Sequence, residues 1–144
     1  NTAVQVVSSV QIGVGFAVPS NTLIRILEDL KTPGEFSRPW MGISGHPVTD
    51  LPEGIVLSTE HGIYIRHVFN NSPASLAGLK PDNCVRTICG GGDVIKSVDG
   101  VELRDVADMV RYLNKLNPGD SVNILLLRNG QLIKTEVILS EWLR

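Results

Sequence analysis

The sequence predicts a mainly β fold with some α: a partly open antiparallel barrel or sandwich of five or six strands, capped by one long and one short helix, and preceded by a strand–strand–helix segment. Three observations carry this. Short apolar runs with period-two alternation recur along the chain, separated by Gly, Pro, Asn and Asp. Asp99-Gly100 and Asn129-Gly130 each stand between such runs and signal two-residue type I′ hairpins. One stretch only past residue 40, from about Leu103 to Leu116, keeps a long helical period.

Taken in order, residues 1–19 hold two apolar runs, Ala3 to Val7 and Ile12 to Val18, with Ser8-Ser9 between them, and read as two strands. Ser20 or Asn21 caps a helix whose apolar positions are Leu23, Ile24, Ile26, Leu27 and Leu30. Residues 32–39 contain two prolines and one glycine, so the domain boundary is placed at 32–38, between a first unit 1–31 and a second unit 39–144. Strands are expected over 40–46, 54–58 and 62–68. Ser72-Pro73 through Gly78 carries the cap, first-turn proline and terminal glycine of one short helix. Strand 93–98 leads into the Asp99-Gly100 hairpin. Asn117-Pro118-Gly119-Asp120 ends the long helix, and strands 121–128 and 131–139 close the chain around Asn129-Gly130.

Composition excludes several classes. With 42% hydrophobic and 19% charged residues the chain reads as globular, and 144 residues sustain one ordinary core plus a fragment. A net charge of −2 and the lack of basic runs argue against a nucleic-acid partner. The longest apolar run, Ile124 to Leu127, is far too short to span a membrane. The chain opens at Asn1 inside an apolar run, which reads as a piece of a longer protein. Cys84 and Cys89 read as two ordinary thiols in or near a loop, with a local disulfide as the alternative. His46, His61 and His67 lack metal-ligand spacing, and no cofactor is implied. Gly90-Gly91-Gly92 has no following Lys-Ser/Thr, and Gly13-Val14-Gly15 lacks a third glycine, so neither is a phosphate loop.

The stretch most suggestive of function is Arg38-Pro39-Trp40-Met41-Gly42-Ile43-Ser44-Gly45. A turn of this type aims backbone N–H groups at one point, and the strand after it accepts an extended peptide as neighbour. Val106, Val110 and Leu113 share one helix face and are the candidates for the opposite wall of a groove; the rest of that face packs on the sheet.

Four pieces raise this reading. Trp40-Met41-Gly42-Ile43, Ser72 to Pro81, Gly92 to Gly100, and Asn117-Pro118-Gly119-Asp120 followed by an apolar strand resemble, in that order, a PDZ domain of the HtrA/Deg serine proteases. Asn1-Thr2-Ala3 and Ile12 to Asn21 resemble the last strands of that family's trypsin-like protease domain, and the helix after them its closing helix. The resemblance implies that Trp40, Met41, Gly42 and Ile43 hold a terminal carboxylate, with Arg38 as a charge assist. It implies that Ile43, Ser44 and Gly45 pair with the peptide, and that its last side chain enters a pocket lined by Ile43, Val106, Val110 and Leu113. The comparable helix start, Arg104-Asp105-Val106, has no histidine, which implies apolar preference.

The implied function is recognition of C-terminal or unfolded segments with apolar ends, regulating proteolysis in protein quality control. The partners implied are those peptides and the chain's own protease domain, in a homo-oligomeric parent placed outside the cytosol or in an organelle. A Gly-Asn-Ser-Gly-Gly motif is missing, and no catalytic serine, histidine or aspartate can be assigned. A scaffold or adaptor PDZ module of a non-protease is the alternative, against which the N-terminal match argues. Residues 82–91 depart from the family pattern as an insert carrying both cysteines.

Overall fold

The computed structural model describes residues 3–5, 14–16 and 38–142. The chain divides into two compact units, Asn1–Phe36 and Ser37–Arg144. In the first, β1 (Ala3–Gln5) pairs antiparallel with β2 (Val14–Phe16), with Val4 opposite Gly15. The expected helix after residue 21 and the 32–38 boundary lie outside the described residues, apart from Arg38.

The second unit is built on an antiparallel sheet. Its strands are β4 (Ile43–Pro47), β5 (Ile63–Val68), β6 (Val94–Val98), β8 (Ser121–Arg128) and β9 (Gln131–Ile138), hydrogen-bonded in that order, with the short β7 (Val101–Glu102) on β6. A separate two-stranded ribbon joins β3 (Pro39–Trp40) to β10 (Ser140–Glu141). Helix α1 (Pro73–Leu76) follows β5, and α2 (Val106–Leu113) follows β7.

Both hairpin signals hold. Val98 pairs with Val101 around Asp99-Gly100, and Arg128 with Gln131 around Asn129-Gly130. All four turn residues have positive φ, as a type I′ turn requires. Asp105 caps α2 by accepting from the Asp108 N–H, so the regular helix is shorter at both ends than the 103–116 expectation. Apolar residues from β5, β6 and β8 (Ile63, Ile65, Ile95, Val98, Val122, Ile124, Leu126) meet Met109 and Leu113 of α2 to form the core.

One expected strand is absent. Residues 54–58 are irregular, entered from a 3-10 turn (Val48–Asp50) and Pro52, with Gly54 at φ 99°. Exposure alternates across Ile55, Val56 and Leu57, but no partner strand pairs with them among the described residues. Leu57 packs with Val48, Leu51 and Ile88 on Tyr64, Val94 and Leu127, while Val56 is 94% exposed. Prolines and a left-handed glycine remove the ladder that apolar content suggested. The cysteine expectation is corrected as well: Cys84 and Cys89 are disulfide-bonded, their N–H groups both drawn onto the Asp82 carboxylate with the Cα atoms 5.8 Å apart.

Candidate functional site

The site candidates meet where the turn after β3 enters β4. Gly42 has φ 84°, a left-handed conformation, and a Cβ there would lie 2.1 Å from the Cβ of Ser72. Only glycine fits both demands. The carbonyls of this turn are tied inward. The Met41 carbonyl accepts from the Ala74 N–H at 2.9 Å, and the Gly42 carbonyl from the Phe69 N–H at 2.9 Å and from Ser72 Oγ at 3.2 Å. Ser72 Oγ also accepts from the Ser75 N–H, capping α1. With these carbonyls anchored, the peptide planes turn the following N–H groups, those of Gly42 and Ile43, the other way. Among the described residues neither the Met41 nor the Gly42 N–H donates to any acceptor.

The ladder sets the direction of the next groups. Gly42 is bonded to Phe69, so Ile43, opposite Val68, falls in the non-bonded phase; its N–H and C=O point away from β5. At the other end the Val48 N–H donates to Gly62 O, which puts Gly45, opposite Ile65, in the same phase. A bulge between them, with Arg66 the extra residue on β5, keeps both residues facing one way. That way is the unpaired side of the sheet, because β4 is its edge strand. Pro47 has no N–H and ends the row of donors.

Helix α2 runs beside this edge. Val106 is half-buried, Val110 is 47% exposed, and Leu113, at 7%, belongs to the core. The structure thus brings Met41, Gly42, Ile43, Gly45, Val106 and Val110 to one region, with Leu113 beneath. Ser44 points outward and is exposed. Trp40 lies in β3, its ring packed edge-on to Trp142 (centroids 5.1 Å) and tilted on Phe69 (5.6 Å). Arg38 is exposed, and its carbonyl accepts from the Trp142 N–H. Sequence reasoning missed the clamp formed by Phe69, Ser72 and Ala74. The Ser72-Pro73 cap signal was the clue, but it read as helix punctuation.

A second polar centre lies in the 82–91 insert. The buried Asp82 carboxylate accepts from the N–H groups of Cys84, Cys89 and Gly90 and from the Tyr64 hydroxyl at 2.6 Å. Burial pushes its pKa up, but these hydrogen bonds outweigh that and hold it below the usual carboxylate value. Burial and the Asp82 partner push the Tyr64 hydroxyl up to about 12. The two sulfurs and an Asp82 oxygen lie within 4.8 Å, but the sulfurs are spent on each other and the carboxylate is saturated by donors. No metal fits there in the oxidised form.

An edge strand preceded by an outward-facing N–H turn and flanked by a helix defines a module of the strand-addition type. The comparisons agree. The model of the PDZ domain matches residues 11–139, and the chain belongs to that family. It is 35% identical over 131 residues to a serine protease Do-like HtrA of Lactobacillus helveticus, covering 87% of this chain and 29% of that protein. It is 31% identical to the periplasmic pH-dependent serine endoprotease DegQ of Escherichia coli, covering 96% and 29%. The solved structure of the HtrA-type protease AlgW with decapeptide superposes with a TM-score of 0.81 at 27% identity, over all of this chain and 42% of the other. The chain therefore spans under a third of those curated relatives and is homologous to the PDZ regions of HtrA/Deg proteases.

Proposed function

We propose that this chain captures the free C-terminal ends of polypeptides, and of unfolded segments with apolar ends, in the groove between β4 and α2. The terminal carboxylate sits on the N–H groups of Met41, Gly42 and Ile43, in the turn that follows Trp40 at the end of β3. Arg38 adds positive charge. The peptide pairs with Ile43 and Gly45 across Ser44, and its last side chain enters between Ile43, Val106, Val110 and the underlying Leu113. The observation that carries this reading is that the N–H groups of Gly42 and Ile43 and the open edge of β4 face away from β5, while the Met41 and Gly42 carbonyls are held inward.

Each main-chain bond contributes about 0.5–1.5 kcal/mol and one buried Val- or Leu-sized side chain about 1.5–3 kcal/mol, so capture is weak and selective. Pro47 limits strand addition to roughly the last four peptide residues. In the parent, this module selects substrates for a trypsin-like serine endopeptidase of protein quality control, residues 1–31 being the end of its protease domain and 32–38 the linker. The parent is a homo-oligomer outside the cytosol. Periplasmic relatives and the Cys84–Cys89 disulfide support an oxidising compartment. The fragment has no proteolytic activity of its own.

The test is a titration, read by amide shifts, of a peptide ending in Val against the same peptide amidated. A loss of tenfold or more on amidation, with shifts at Gly42, Ile43 and Val110, is expected. Equal affinity for both forms overturns the proposal.

A further inference from the structure

The Cys84–Cys89 ring is more than a covalent tie, because the loop it closes is held by one set of contacts and opposed by another. Holding it are the three N–H groups on Asp82, the Asn83 N–H on Gly90 O at 3.1 Å, and half-buried Ile88 against Tyr64. Opposing it is Arg66. Its Nη2 donates to Val85 O at 3.2 Å, but its Nη1 is shut away from water with no acceptor among the described residues. A guanidinium nitrogen kept dry and unpaired favours any opening that exposes it, and the loop is tied to this guanidinium through Val85 O. Val85, at 93% exposure, contributes no packing to keep it shut.

We propose that Cys84–Cys89 is a thiol–disulfide switch that latches residues 83–91 over Arg66 when oxidised and releases that guanidinium to solvent when reduced. A dithiol is the reductant. Its thiolate attacks the sulfur of Cys89, the more exposed residue of the pair, and the S–S bond breaks. Cys84 leaves as the thiolate and takes up a proton. The dithiol's second thiolate then attacks the mixed disulfide and frees Cys89, which also takes a proton. Two electrons pass to the protein, and the dithiol becomes a cyclic disulfide. The core loses nothing in this step: neither cysteine belongs to either apolar cluster. The element that responds is the loop alone, a local two-state segment biased by one covalent bond.

The test uses the whole chain, oxidised and after treatment with dithiothreitol. Closing a six-residue ring shifts the opening equilibrium by about tenfold to fortyfold. Hydrogen exchange at the Cys84, Cys89 and Gly90 amides is expected to quicken by that factor on reduction, with β6 and β8 amides unchanged. Arg66 is expected to react at least fivefold faster with an arginine-selective dicarbonyl, read by mass spectrometry. The Cys84→Ser/Cys89→Ser double variant should match the reduced protein in both. Unchanged loop exchange or unchanged Arg66 labelling overturns the proposal. So does loss of β6 and β8 protection on reduction, which makes the bond a structural staple, or resistance of the native bond to the dithiol.

Discussion

In the 82–92 loop the N–H groups of Cys84, Cys89 and Gly90 end on the Asp82 carboxylate, a residue of the same loop. In the turn at 41–43 the N–H groups of Gly42 and Ile43 point away from the anchored Met41 and Gly42 carbonyls. Both use left-handed glycines, Gly90 in one and Gly42 in the other, to bring main-chain donors together. The difference lies in who supplies the negative charge. A loop that brings its own carboxylate is finished as a structural unit, and its donors are unavailable to anything else. A turn whose carbonyls are clamped by Phe69, Ser72 and Ala74 keeps its donors for an acceptor from elsewhere, and the carboxylate we propose would meet them preorganised.

The most severe way to break this contrast is Gly42→Ala. The new Cβ meets Ser72 at 2.1 Å in a left-handed backbone, and the expected cost is about 2–4 kcal/mol of stability by urea titration, with loss of peptide binding. Asp82→Asn attacks the other loop. It turns one acceptor into a donor facing N–H groups and should cost about 1–3 kcal/mol, yet leave peptide affinity within about twofold. If affinity collapses, the two centres are not independent. Val110→Asp works the opposite way: the residue is half-exposed, so stability should barely move, while affinity for a Val-ended peptide falls by about tenfold or more.

The smallest effect is in pH. Asp82 and Asp99 are both held below their ordinary 3.8, Asp99 by the Asn123 N–H and the Tyr112 hydroxyl against the opposing pull of burial. Their contribution is complete above 3.8 and vanishes as pH falls through the lower folded values. At the alkaline end the Tyr64 hydroxyl, raised from 10.0 to about 12, favours the fold below 10 and loses that contribution as pH climbs to 12. Thermal midpoints across both windows check this. Tyr64→Phe should make the alkaline limb shallower, the remainder coming from Tyr112, whose hydroxyl is raised by its hydrogen bond to Asp99, and leave the acid limb sloping through Asp99.

Local chemistry made much of this legible. Asp99-Gly100 and Asn129-Gly130 force positive φ at both turn positions, so their hairpins could be placed before any strand partner was known. Ser72-Pro73 fixed the start of α1 in the same way. The edge turn at 41–45 was legible because Gly42 among apolar neighbours has few alternatives. Residues 54–58 were misread because apolar content at Ile55, Val56 and Leu57 does not distinguish a strand from a loop pinned by one side chain, Leu57. The two cysteines were ambiguous for a similar reason: a spacing of five residues permits a ring but does not demand one.

The sequence by itself determined the turns, the helix cap and the alternation that sorts each strand's faces, since these depend on φ preferences and on neighbours a few residues away. Tertiary structure alone decided which edge of the sheet stays unpaired, that Ser72 clamps a carbonyl thirty residues earlier, and that Asp82 gathers donors from its own loop and from Tyr64. Those choices depend on distances between segments remote in the chain, which no local pattern encodes.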